Sequence, residues 1–250
     1  MTAKPNKLEG IEMTDRTVEI SPLIYARVAG ILYLLMIPLG IFGILYVPST
    51  LIVSGDATAT ANNIMASESL FRLSIVSALM IQIVQIFLVL VLYKLLKPVN
   101  KIHASLMVVF ALVAVPIAML NEFNHFAALL FLSGADYLTA FGADELHAQV
   151  MFFLDLHEHG IFIAQLFWGL WLFPMGYLIF KSGFLPKFIG VLLMIGCFGY
   201  LIDSFIFFLL PTIDVTLSGF TFWGELLLPL WLLIKGVDVE QWKKSALEST

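Results

Sequence analysis

Residues 70–101 read LFRLSIVSALMIQIVQIFLVLVLYKLLKPVNK, and their reading decides the fold. No residue between Arg72 and Lys94 carries a charge. About 20 apolar residues at ~1.5 Å each cross ~30 Å of hydrocarbon as one helix. Lipid offers no hydrogen-bond partners, so such a stretch must satisfy its backbone internally and is helical. The same pattern recurs along the chain. Six spans can be drawn, at about Leu23–Val47, Leu70–Leu96, Ala104–Leu132, Val150–Phe180, Phe188–Leu210 and Phe220–Ile234. The last is the shortest. The fourth is long enough to tilt or to begin above the membrane.

Composition agrees. The chain has 250 residues, 60% hydrophobic and 12% charged, with a mean hydropathy of +0.98. Soluble chains carry about 25% charged residues. The expectation is an all-α, polytopic membrane helix bundle: a tail over 1–21, a six-helix membrane domain over 22–236 and a second tail over 237–250. The first twenty residues are polar and mixed in charge, without the layout of a cleaved signal, so the first span is expected to stay. Cys197 is the single cysteine, which excludes an intrachain disulfide. No G-x-S-x-G, phosphate-binding glycine loop or nucleic-acid footprint is present.

Lysine and arginine set the expected orientation. Six spans put Lys4, Lys7, Arg16, Arg27, Lys94, Lys97, Lys101, Lys181, Lys187, Lys235, Lys243 and Lys244 on one side, and Arg72 alone on the other. The positive-inside rule then makes both termini cytoplasmic, in a cell (inner) membrane. On the outer side Asp56 fits a helix N-cap, and Ala57, Ala61, Ile64 and Met65 share one helical face. A continuous helix from Asp56 to Lys97 would reach ~60 Å, so residues 56–68 are expected to bend into an amphipathic lid. SGADYLTAFGADELHA (133–148) predicts a second, short outer helix. Pro38, Pro116, Pro174 and Pro229 are expected to kink their spans. Gly190, Gly196 and Gly199, with Gly169 and Gly176, predict close helix contacts.

Charge inside a span is expensive and usually faces a bundle interior or water. The third span carries Asn121, Glu122, Asn124 and His125. The fourth carries Asp155, His157, Glu158 and His159 in LDLHEHG. Asp203 and Glu225 lie in the fifth and sixth, and Arg72, Gln82 and Gln85 in the second. Counted from the cytoplasmic lysines, Glu225 lies ~15 Å deep, Asp203 ~24 Å, and Glu122, His159 and Arg72 ~32–33 Å. The polar groups thus fill the outer half, which predicts an outward-facing acidic/histidine pocket under the 56–68 lid. Its expected binding residues are His157, Asp203, Glu225, Arg72 and Asp155.

Two chemistries fit, and a third reading needs none. The first is binding or transport of a small ligand or ion, with His157 titrating beside the deep carboxylates. The second is a metal-dependent intramembrane enzyme, a lipid hydrolase for instance, with zinc or iron held by His125, His157, His159 and Glu122. Glu122-x-x-His125 is half of a di-iron signature, but Asp155-x-x-Glu158 does not supply the other half. HEHG is not H-E-x-x-H, because His157 and His159 are two residues apart and point apart on a helix. The third reading is a bundle that binds a partner protein and uses its polar residues only to tie helices. Expected partners are the bilayer and a small molecule, ion or lipid, with a homo-oligomer open.

The stretches SGDATATANNIMASESLFRLSIVSAL, VLYKLLKPVNK, FLDLHEHG and YLIFKSGFLPKFIGVLLMIGCFGYLIDSFIFFLLP resemble the bacterial membrane proteins grouped as domain of unknown function 4386. The resemblance runs from about Ala26 to Val237. It implies the membrane topology and little chemistry. Arg72, His157, Asp203 and Glu225 match its pattern, while Glu122, His125, Glu158 and His159 depart from it.

Overall fold

The computed structural model describes residues 21–213 and 215–248. The tail residues Lys4, Lys7 and Arg16 lie outside the described residues. The described chain is helical, without strands. Its elements are α1 (Pro22–Gly40), a π-helical segment (Ile41–Tyr46), α2 (Val47–Leu51), α3 (Ala57–Ala66), α4 (Glu68–Leu96) and α5 (Lys101–Phe131). A 3-10 turn (Asp136–Ala140) follows, then α6 (Ala143–Leu170), α7 (Leu172–Ser182), α8 (Lys187–Leu209), α9 (Ser218–Thr221), α10 (Trp223–Ile234) and α11 (Val239–Glu248).

Five helical stretches are long and apolar enough to cross a membrane: Pro22–Leu51, Glu68–Leu96, Lys101–Phe131, Ala143–Ser182 and Lys187–Leu209. The sixth, Ser218–Ile234, passes only together with Val239–Glu248, from which it bends by 106°. The helices pack as a ring in the order α1, α4, α5, α6, α8, α10 and back to α1.

Local chemistry explains the breaks. Pro174 has no N–H for the Leu170 carbonyl, and the fourth span divides there into α6 and α7. That span begins at Ala143, seven residues before the expected Val150, because Glu145 accepts from the Gly142 N–H at 2.9 Å and starts a capped helix in the preceding loop. Beyond Pro38 the first span widens into π geometry rather than simply kinking. The Leu39 carbonyl accepts from the Ser77 hydroxyl at 2.8 Å instead, and Gly43 lies against α4.

The C-terminal residues are not a free tail. Gly236 takes φ +71, which turns α11 across the lysine-rich end. There Trp242 is buried and donates to the Leu95 carbonyl at 2.8 Å, one of the carbonyls a helix end leaves unpaired.

Two apolar clusters result. One lies at the lysine-rich end and includes Leu88, Leu92, Met107, Trp171, Met175, Ile189 and Leu228. The other lies at the distal end, around Ile64, Phe71, Ile75, Leu129, Val150 and Leu154. Between them run the buried polar side chains of Ser77, Gln82, Gln85, Asn121, Glu122, His125 and Gln165.

Asp56 caps α3 as expected, accepting from the Ala59 N–H at 2.8 Å. The break at Ser67 separates α3 from α4, and no described residue of α3 is among those lining the cavity at Glu122, His125 and His157. Thr60 and Asn63 bond the backbone of Val53 and Leu51, and α3 packs on α6. Ala61 and Ile64 are buried there, whereas Met65 is exposed.

Candidate functional site

Glu122 and His125 stand one turn apart on α5, so both side chains share a face. That face meets α6 at His157. Glu122 Oε2 lies 2.9 Å from His125 Nδ1, and Glu122 Oε1 lies 3.1 Å from His157 Nε2. The two imidazoles stack with centroids 3.6 Å apart. Phe71 of α4 meets His125 edge-on at 5.1 Å. Glu122 is 3% exposed and His125 6%. A carboxylate that buried is costly unless paired and hydrogen-bonded, and here each oxygen has an imidazole.

Helix packing places the trio. Asn121 Nδ2 donates to the His157 carbonyl at 2.8 Å, and Asn124 Nδ2 donates to Asn121 Oδ1 at 2.9 Å. A Cβ on Gly160 would collide with the Asn121 amide. Glycine there lets α5 and α6 approach closely enough for His157 to reach Glu122.

One ligand atom from each of Glu122, His125 and His157 lies within 4.8 Å of the other two. A tetrahedral zinc site with bonds of ~2.0–2.1 Å needs ligand atoms ~3.3 Å apart. Holding the ion would draw these atoms closer together than they stand here.

The trio faces a cavity of about 620 Å³. Its wall is mostly apolar, with Ile44, Leu45, Ile81, Ile161, Phe162 and Trp168 among its residues. Gln82 also lines it, and Gln82 Oε1 is buried without a hydrogen-bond partner. An unpaired buried acceptor marks a place where a polar group is expected to bind. Glu158 is the further carboxylate on the wall.

The other expected residues lie elsewhere. Asp155 and His159 are exposed, and His159 Nδ1 bonds the Asp155 carbonyl at 2.8 Å. His159 therefore does not join His157, because residues two apart on a helix face opposite ways. Arg72 is exposed and pairs with Glu68 at 2.6 Å, not with a deep carboxylate. Glu225 accepts from the Tyr33 hydroxyl at 3.0 Å. Tyr200 adjoins the same carboxyl without completing a hydrogen bond to Oε1. No sequence period marked either tyrosine. Of the five residues expected to form one binding pocket, His157 alone lines the cavity.

Asp203 is buried, and its two oxygens accept from the backbone N–H groups of Leu217 and Ser218 at 2.6 and 2.8 Å. It anchors the connection ahead of α9. Hydrogen bonds to charged groups contribute about 1.5–3 kcal/mol each. Asp203→Ala is expected to cost about 3 kcal/mol and to speed amide exchange at Leu217 and Ser218, with Asp203→Asn in between. Unchanged exchange at both amides would contradict the anchoring role.

A family model described as "Domain of unknown function (DUF4386)" matches residues 28–236. An uncharacterized protein of Archaeoglobus fulgidus is 32% identical over 163 residues, which cover 65% of this chain and 83% of the relative. No solved structure matches.

Proposed function

The chain belongs to the family described as domain of unknown function 4386, and for this member we propose a membrane-embedded site for a divalent transition-metal ion held by Glu122, His125 and His157. The observation that carries the proposal is the convergence of three ligand atoms within 4.8 Å. Two imidazoles and a carboxylate suit zinc or ferrous iron. Three protein ligands leave a coordination position open, as catalytic sites do and closed structural sites do not. An ion there would polarise a carbonyl or activate a water. Glu158 on the same wall would accept the proton, and Gln82 would hold a polar group of the ligand. By the positive-inside rule the lysine-rich end would be cytoplasmic, which puts the cavity in the opposite half of the bundle.

A second reading has its own support. Both imidazoles already bond Glu122, so the trio could be a metal-free tie between α5 and α6. Metal analysis decides. The protein is purified in mild detergent without a histidine tag or chelator. The expected content is about one zinc or iron per chain, falling to about a tenth or less in Glu122→Ala and His157→Ala proteins that remain folded. Wild-type protein that holds no metal and takes up neither zinc nor cobalt would overturn the proposal and leave the tie.

A further inference from the structure

We propose that the cavity takes the acyl chain of a membrane phospholipid, admitted sideways through a gap between α6 and the π-helical segment that follows α1, with the lipid's carbonyl linkage at Glu122, His125 and His157. The position of the carbonyl rests on the metal-site reading. The sideways access rests on the helix lengths.

Helix α10 spans 12 residues, or ~18 Å. Its first turn is level with Tyr33 of α1, where Glu225 accepts the tyrosine hydroxyl. Toward the lysine-rich end the two helices stay together, and a Cβ on Gly30 would touch Leu233 and the Pro229 carbonyl. In the other direction the π-helical segment and α2 run on through residues 41–51, ~16 Å, without extensive packing on α10 among the described residues. Among the described residues, neither α8 nor α9 packs extensively on residues 41–51 in its place. Helix α9 is a single turn packed on α8, and Asp203 holds Leu217 and Ser218 over α8. The ring of helices is therefore complete near the lysines and interrupted at the π-helical segment and α2.

The cavity lies behind this interruption. Its wall comes from the stretch beyond Tyr33 (Gly43, Ile44, Leu45, Pro48), from α4 and α5 at the back, and from α6. Among the described residues, none of α8, α9 or α10 contributes to it. At the rim Ile44 is 40% exposed and Leu45 63%, and both lie within the first of the stretches long and apolar enough to cross a membrane. An acyl chain moving from bilayer to cavity exchanges one apolar surrounding for another. The apolar side chains of Ile44, Leu45, Ile81, Ile161 and Phe162 suit an acyl chain, while Gln82, Glu122, His125 and His157 offer polar atoms to its carbonyl linkage. The volume falls within the ~300–1,000 Å³ usual for small-molecule sites.

The test uses the full chain in phospholipid nanodiscs. One arm adds a phosphatidylcholine with a diazirine near the end of one acyl chain, and the other a water-soluble diazirine. Adducts are mapped by peptide mass spectrometry, and metal is measured on the same samples. The expected result is lipid labelling of Ile161, Phe162 and Leu45, with little labelling of these residues by the aqueous probe. Leu45→Trp, at the exposed rim, narrows the gap without straining the core. Ala118→Phe fills the cavity from α5. Either is expected to abolish adducts at Ile161 and leave those at the bilayer-facing Phe87 and Phe198. Lipid adducts confined to such outer faces, or labelling of Ile161 by the aqueous probe, would overturn the inference even in a protein that holds metal. Cavity adducts in a metal-free protein would support the lipid port and overturn the carbonyl placement.

Discussion

Gly190→Val is expected to cost about 3–4 kcal/mol and to lower the unfolding temperature by roughly 10 °C. A Cβ at Gly190 would stand 2.5 Å from the Gly176 carbonyl oxygen and 2.7 Å from the Phe180 nitrogen. Gly176 mirrors this, with a Cβ there 2.5 Å from the Gly190 oxygen. At this crossing α7 and α8 touch backbone to backbone, so no rotamer change relieves the clash and the helices must separate. Lipid drives helix association weakly, and close approach at small residues supplies much of the contact energy. Gly40 is the control, because nothing lies within 4 Å of a Cβ there. Gly40→Ala is expected to change stability by less than about 1 kcal/mol. Thermal unfolding in detergent compares the two. A Gly190→Val protein that melts with the wild type would contradict the close contact.

The second large effect is expected at Gly160→Ala. The obstacle here is the Asn121 amide, a side chain that can move. Moving it breaks the hydrogen bond to the His157 carbonyl and lets α6 shift, taking His157 away from Glu122. Stability is expected to fall by about 1–3 kcal/mol. Metal affinity is expected to fall by about 10- to 100-fold, as when the groups that orient metal ligands are changed. Asn121→Ala makes room for the new methyl group. The double variant should therefore lose less stability than the two single losses added together. Its metal affinity should stay low, because Asn121 no longer holds α6. Strict additivity of the stability losses would show that Gly160 and Asn121 do not share this contact.

Much of the architecture was legible. Uninterrupted apolar runs mark the spans because lipid forces helix formation wherever polar residues are absent. Asp56 as a cap and the short turn near Asp136 follow from local chemistry. Counting along each helix put the polar side chains of the spans in their outer half as an expectation. Less was visible where two distant segments meet. Trp242 reads as part of a polar tail until Leu95 offers it a carbonyl. Pro38 marks a disturbance, but the π-helical widening needs Ser77 on α4. Asp203 reads as a deep, costly carboxylate until the returning chain presents two N–H groups to it.

The same division runs through the site. By itself the sequence determined that this is a helical membrane protein, that Glu122 and His125 share a face, and that His157 cannot share one with Asp155 and His159. Only the tertiary structure decided that His157 turns inward to Glu122 while Asp155 and His159 turn outward. In a soluble protein the apolar face of a helix points to the core and settles such a choice. Here the lipid outside is as apolar as the bundle inside, so hydrophobic periodicity does not separate the two faces. The choice passes to close packing, where Gly160 and Asn121 bring two helices together.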